Sequence, residues 1–351
     1  MKVPFSVLDL APIPVGANAE QALANTTALA QDVDALGFHR YWLAEHHNMP
    51  GIASAATAVV VAQVAAHTTQ IRVGSGGIML SNHAPLVIAE QFGTLAALYP
   101  GRIDLGIGRA PGTDPRTAAI LRRDRVGDDQ FPQDVIELQS YFNVATNAHA
   151  INQGVRAIPA EGQDVPIWLL GSSTYSAELA ALLGLRFAFA SHFAPALLDQ
   201  ALSTYRRNFR PSPSLAEPYA MIGVNVFAAE TTARAQWLFS SLEQGFINLR
   251  RGTPGKLPEP CTTEGLWSPA EQAMLNHALS CSVIGDADNV RDGLIDLINT
   301  HQPDELMITA QIHDPQARRN CYRIIAAVRD EVQSAITPKA ALKTKSLHPA
   351  Q

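Results

Sequence analysis

Short apolar runs alternate along the chain with longer segments whose apolar positions recur at helical spacing. The short runs predict strands at 3–10, 40–44, 71–80, 103–107, 166–170, 187–190, 219–228 and 305–309. The longer segments predict helices at 20–36, 53–66, 86–98, 177–183, 196–209, 232–248, 287–300 and 316–331. Gly37, Pro100-Gly101 and Gly184 read as stop signals between them. Regular alternation predicts a parallel sheet with crossover helices. Eight such units favour a closed (β/α)8 TIM barrel over an open, doubly wound sheet. Two stretches break the repeat: 114–163 after the fourth strand and 249–282 after the seventh. Loops of that length are usually functional. The expected organisation is one α/β barrel domain over 1–336 with these insertions, then a flexible tail over 337–351.

Composition narrows the class of protein. Of the 351 residues, 47% are hydrophobic and 17% charged, which suits a large buried core and not a disordered chain. A formal net charge of −6 argues against nucleic acid or an anionic membrane as partner. No apolar run has the length of a membrane span, and the polar start does not read as a signal peptide. Cys261, Cys281 and Cys321 are scattered, with neither disulfide nor metal spacing. A reduced, cytoplasmic setting is therefore expected.

Candidate chemistry begins where the second strand ends, in Tyr41-Trp42-Leu43-Ala44-Glu45-His46-His47. Ionisable groups are costly in a core, so they belong where the strand emerges. Histidine suits proton transfer near neutrality, and a barrel places its active site at the carboxyl ends of its strands. Neighbouring strand residues face opposite sides, so only one of His46 and His47 enters a shared site. No third metal ligand is evident, and no metal is expected. Trp42 reads as packing. His83 is a candidate pocket or capping residue, and Glu90 reads as a helix-surface residue.

Glycine-rich turns end the third and fourth strands. In Gly74-Ser75-Gly76-Gly77, interior glycines mark a bulge or the close approach of a flat ligand. The run Gly106-Ile107-Gly108-Arg109-Ala110-Pro111-Gly112 has a spacing one residue longer than the dinucleotide fingerprint, which argues against a Rossmann site. Arg109 stands where a guanidinium would meet a phosphate. After the fifth strand, Gly171-Ser172-Ser173-Thr174-Tyr175-Ser176 opens a helix with more hydroxyls than one cap needs. In a barrel these two turns are neighbours, and together they read as a phosphate clamp. Arg250 and Arg251 begin a basic, glycine-bearing turn that reads as a lid over the site.

These segments, in this order, resemble the bacterial luciferase-like flavin monooxygenase family. The resemblance runs from Phe5 to about Val328. It is carried by Trp42-Leu43-Ala44-Glu45-His46-His47-Asn48, Ala89-Glu90-Gln91-Phe92-Gly93-Thr94-Leu95, Tyr99-Pro100-Gly101-Arg102-Ile103-Asp104-Leu105-Gly106 and Phe189-Ala190-Ser191-His192-Phe193-Ala194-Pro195. It implies a usually dimeric (β/α)8 barrel that binds FMN at the carboxyl face. It makes His46 the histidine beside the flavin, with Glu45 as its neighbour in the catalytic pair. It puts Arg109 on the FMN phosphate, with Ala110 offering backbone contact. Ser173 and Ser176 become hydroxyl partners, and Ser172 and Gly171 complete the turn. Ser75-Gly76-Gly77 matches a bulge with a non-prolyl cis peptide under the flavin ring, and 249–282 matches a mobile active-site loop. Gly108 replaces a reactive cysteine, and Ser191-His192 stand near a tryptophan position, so neither thiol chemistry nor light emission is expected.

The implied activity is monooxygenation of a small organic substrate by FMNH2 and O2. A separate flavin reductase is the implied partner, because no NAD(P)H motif is visible. The alternatives are a deazaflavin-dependent oxidoreductase, since relatives on this barrel use that cofactor, and a non-catalytic flavin-binding protein.

Overall fold

The computed structural model describes residues 2–121, 130–142 and 154–337. Parts of the first insertion (122–129 and 143–153) and residues 338–351 of the expected tail lie outside the described residues. The elements in order are β1 (Phe5–Asp9), α1 (Ala19–Ala35), β2 (Arg40–Leu43), α2 (Thr57–Ala66), β3 (Arg72–Met79), α3 (Pro85–Leu98) and β4 (Ile103–Gly108). Then come α4 (Pro115–Leu121), α5 (Phe131–Phe142), β5 (Ile167–Gly171), α6 (Thr174–Leu183), β6 (Arg186–Phe189) and α7 (Leu198–Asn208). The last are β7 (Ala220–Ala228), α8 (Thr232–Arg250), α9 (Pro269–Ala278), β8 (Ser282–Gly285), α10 (Ala287–His301), β9 (Glu305–Thr309) and α11 (Pro315–Ala335).

All strand pairings are parallel, and they close into a ring. The sheet runs from β6 through β5, β4, β3, β2 and β1 to β9 and β7, and β7 pairs back with β6. The result is an eight-stranded (β/α)8 barrel, as the alternation predicts. The sequence reading misses β8, a short ninth strand on the carboxyl half of β7, from Asn225↔Ser282 to Ala228↔Gly285. Among the described residues no helix is long and apolar enough to cross a membrane.

The strands are buried on both faces, which is why they read as continuous apolar runs. Their outer faces join the helices in one core. Their inner faces form a second core of Leu8, Trp42, Ala44, Trp168, Ala188, Met221 and Met307. Trp42 meets Trp168 edge to face at 5.1 Å, the packing role expected of it.

The amino-terminal end of the barrel is filled by charge. Arg40 donates to Asp104 at 2.6 Å and to Glu305 at 3.0 Å, and Arg72 reaches the other oxygen of Asp104 at 2.7 Å. Ser6 and Tyr219 also donate to Glu305.

Both insertions are partly helical. α9 opens with a capping box, Ser268 and Glu271 exchanging side-chain and backbone bonds. The basic turn before it docks on the exit of β1. There Val15 N–H donates to the Leu257 carbonyl and Leu257 N–H to that of Ile13, both at 2.9 Å. Helix α2 starts at Thr57 and not at 53, because the preceding residues wrap round the β2 exit. Ser54 and Thr57 hydroxyls donate there to the Ala44 carbonyl, at 2.6 and 3.1 Å.

Candidate active site

Most residues singled out from the sequence lie at the carboxyl ends of β2 to β6. Strand alternation continues past the end of β2. His46 lies among the inward-facing groups, while Glu45 and His47 turn together to the other side. His46 Nδ1 lies 3.2 Å from the Gly112 carbonyl. A carbonyl only accepts, so Nδ1 carries the proton and Nε2 keeps its lone pair. Burial pushes the His46 pKa below the usual histidine range; the Gly112 bond and the Glu45 charge act the other way. His46 is thus a neutral imidazole at pH 7 with a basic Nε2. Gly112 has φ +62°, and a Cβ on it would fall 2.7 Å from the Glu45 carbonyl, so this approach needs glycine.

His192 shares this space, since a charge on His46 bears on it. It is half-buried, and desolvation pushes its pKa down to about 4. Its Nδ1 has no hydrogen-bond partner among the described residues. Its ring packs on Gly223, where a Cβ would meet Nδ1 at 2.3 Å. Asn225, which the sequence reading misses, holds the His192 carbonyl at 2.6 Å and Ser282 Oγ at 3.1 Å. Ser191 Oγ donates to the Gly223 carbonyl at 2.6 Å. An asparagine in a strand carries no motif, so the sequence held little signal for it.

Glu45 does not bond His46. Its Oε1 takes His47 Nε2 at 2.8 Å and His83 Nε2 at 2.9 Å, and its Oε2 accepts the Met79 N–H at 3.0 Å. Burial raises the Glu45 pKa, but the His83 and His47 bonds and the Met79 N–H outweigh it and hold the carboxyl below its usual value. His83 is the C-cap of a single 3-10 turn at 80–82, while Ala84 precedes α3; its ring joins the β3–α3 turn to the exit of β2. The sequence reading finds no third ligand beside the two histidines, whereas the fold assembles Glu45, His47 and His83.

At the end of β3 the Gly76–Gly77 peptide is cis, and the register with β4 shifts between Gly76 and Ile78. This is the bulge that the resemblance implies. A Cβ on Gly77 would lie 2.7 Å from the Gly106 carbonyl. Ser75 Oγ ties the bulge to the same carbonyl at 2.8 Å.

The turns after β4 and β5 are neighbours, as the barrel order predicts. The Arg109 guanidinium lies over the Tyr175 ring at 4.3 Å. Arg109, Ala110 and Ser172 are exposed, and Gly171 and Ser173 are half-buried. Ser173 is the N-cap of α6, yet its hydroxyl makes no capping bond. Ser176 is buried against Gly171, where a Cβ would meet its Oγ at 2.3 Å. Arg250 lies over Phe246 at 5.1 Å, and Arg251 pairs with Glu271 at 2.8 Å.

The family model for luciferase-like monooxygenase matches residues 3–301. The chain belongs to the luciferase-like monooxygenase family. A relative in Escherichia coli (strain K12), named luciferase-like monooxygenase, is 53% identical over 332 residues, covering 94% of this chain and 98% of its own. The N-acetyl-S-alkylcysteine monooxygenase of Bacillus subtilis (strain 168) is 31% identical over 92% of this chain and 97% of its own. The solved structure of apo-MsnO8 superposes with a TM-score of 0.83 at 33% identity, covering 96% of this chain and 100% of that one. Membership of this family makes the chain a monooxygenase-type oxidoreductase.

Burial of neutral His192 predicts a pH dependence of stability. The folded pKa of about 4 lies below the ordinary 6.5, so the unfolded chain takes up the proton first. The stability that neutral His192 allows is fully present above pH 6.5 and is lost as pH falls toward 4. The shift corresponds to about 3 kcal/mol. In urea unfolding, wild type should lose about that much more than His192→Gln between pH 7 and pH 4. Parallel pH profiles would refute the assignment.

Proposed function

We propose that this chain is an FMN-dependent monooxygenase that uses reduced flavin, delivered by a separate reductase, and O2 on a small organic substrate. The observation that carries the reading is Arg109 beside the first turn of α6, whose N-cap hydroxyl makes no capping bond. A helix start with spare donors and an adjacent guanidinium suits a phosphate monoester. The donor set therefore fits FMN, and Arg109, Ser172 and Ser173 would hold its phosphate. Ser176 would shape that turn through Gly171, and Ala110 would add backbone contact. The Ser75-Gly76-Gly77 bulge would support the face of the ring. Bound reduced flavin would supply the electrons that activate O2.

His46 would accept or return a proton at Nε2 while Gly112 fixes its tautomer. Glu45 would position the exits of β2 and β3 through His47, His83 and the Met79 N–H. His192 and Ser191 would line the substrate side as uncharged groups. The relative named for an N-acetyl-S-alkylcysteine supports a small substrate. Scattered cysteines, two of them buried, suit a reduced cytoplasmic setting.

The deciding experiment is rapid mixing of FMNH2-loaded protein with O2. Wild type should give an oxygen-dependent absorbance transient distinct from that of free FMNH2, and its absence would overturn the reading. His46→Ala should keep flavin affinity and lose about 100- to 10,000-fold in turnover. Titration with a deazaflavin in parallel decides the cofactor, because tighter deazaflavin binding would replace FMN.

Arg109→Ala should weaken FMN binding by about tenfold to a hundredfold, the loss of one charge-assisted bond. Riboflavin, which lacks the phosphate, should bind both forms alike. Equal losses for the two flavins would make Arg109 structural.

We also infer a homodimer through α2 and α3. Val59, Val87 and Leu98 on these helices are 69%, 43% and 62% exposed, an apolar surface that a second copy would cover. Light scattering at micromolar concentration should return twice the chain mass, and a monomer mass would remove the inference.

A further inference from the structure

Three buried carboxylates of this barrel are matched with guanidinium groups. Asp9 meets Arg318 at 2.8 Å, Asp104 meets Arg40 and Arg72, and Glu305 meets Arg40. Glu45 is equally buried, at 1% exposure, but the basic groups on its Oε1 are two imidazoles. They arrive from different turns, His47 from the exit of β2 and His83 from the turn before α3. No guanidinium is bonded to Glu45 among the described residues. A buried carboxylate is costly unless it is paired or coordinates a cation.

We propose that Glu45, His47 and His83 form a binding site for a divalent transition-metal ion of the Zn2+ class. One ligand atom from each lies within 4.8 Å of the others. The Met79 N–H holds Oε2 at 3.0 Å and so leaves Oε1 directed at the two rings. Such an outer-shell bond is what orients a ligating carboxylate. The side chains of His47 and His83 are 18% and 29% exposed, so an ion can enter and keep solvent in a remaining position. Two imidazole nitrogens and one carboxylate oxygen favour Zn2+, Co2+ or Fe2+ over Mg2+ and Ca2+, which prefer all-oxygen sets.

The rings now sit at hydrogen-bond distance from Oε1. Metal bonds of about 2.0–2.1 Å in a tetrahedral set hold ligand atoms roughly 3.3 Å apart. Both rings therefore retreat slightly on binding, and each Nε2 presents its lone pair to the ion. The ion would lock the exit of β2 to the turn before α3, one residue from His46.

This site does not rest on the flavin reading, and its test uses the full-length chain without flavin. Zn2+ is titrated against a chromophoric chelator, and Co2+ is followed by its visible d–d bands. Wild type should bind one equivalent of each per chain, with Co2+ bands unlike those of the hydrated ion. His47→Ala, His83→Ala and Glu45→Gln should each weaken binding at least about tenfold. His67→Ala, at an exposed histidine elsewhere, should bind as wild type does. His83→Gln keeps a donor to Glu45 and so serves if the alanine variants do not fold; Zn2+ should raise the Tm of wild type but not of this variant. No saturable binding, or affinities and Tm shifts equal across the variants, would overturn the proposal. Normal FMN binding beside such a failure would leave the flavin reading intact.

Discussion

Arg40 joins β2 to β4 and β9 inside the closed end of the barrel, through Asp104 and Glu305. A charge in that position is tolerated only while its partners stay in place. The network therefore fixes the register of β2, whose Arg40 stands opposite Arg72 of β3. Register in turn fixes parity, because strand side chains alternate. With Arg40 inside, Trp42 and Ala44 also point inside. Parity then sends His46 toward the barrel mouth and turns Glu45 with His47 to the outer side. The chemistry at one end of β2 is thus set by an ion pair at the other.

The same parity gives two adjacent histidines different environments. His46 is held by a backbone carbonyl and faces His192, and burial holds both rings neutral. His47 is held by a carboxylate that also takes His83. Glu45 thereby links the ends of β2 and β3, and the Met79 N–H it accepts lies just beyond the Gly76–Gly77 bulge. Loss of the Glu45 carboxylate would disturb the bulge and the histidines together.

Much of the barrel was legible because its strands are buried on both faces and its helices carry clear stop signals. The neighbouring turns with Arg109 and Ser173 followed from strand order alone, as did the opposite facing of His46 and His47. The helices in the insertions were legible but passed over. Ser268-Pro269-Ala270-Glu271 is a capping box, and Asp114 accepts the N–H of Thr117 just ahead of α4. Strand β8 is four residues with polar neighbours and has too little pattern to separate from loop. The Glu305–Arg40 pair joins residues 265 apart in sequence, and His83 reaches Glu45 only once β3 lies beside β2. No local pattern carries such contacts, since they are consequences of closure.

The site is electrically graded from rim to floor. Its rim carries an exposed guanidinium and a helix start, both positive in character. Its inner wall carries His46 and His192, which desolvation holds uncharged, and a charge on His46 further opposes protonation of His192. Below them lie the Trp42 and Trp168 rings and an apolar layer. An anionic group is attracted at the rim and penalised at depth, while a flat uncharged ring is tolerated at depth. On the proposed flavin reading, a molecule with both parts would enter in one orientation, with its anion outside and its ring toward His46. Selectivity for such a molecule would then arise from the order of these layers along the barrel axis and not from any single contact.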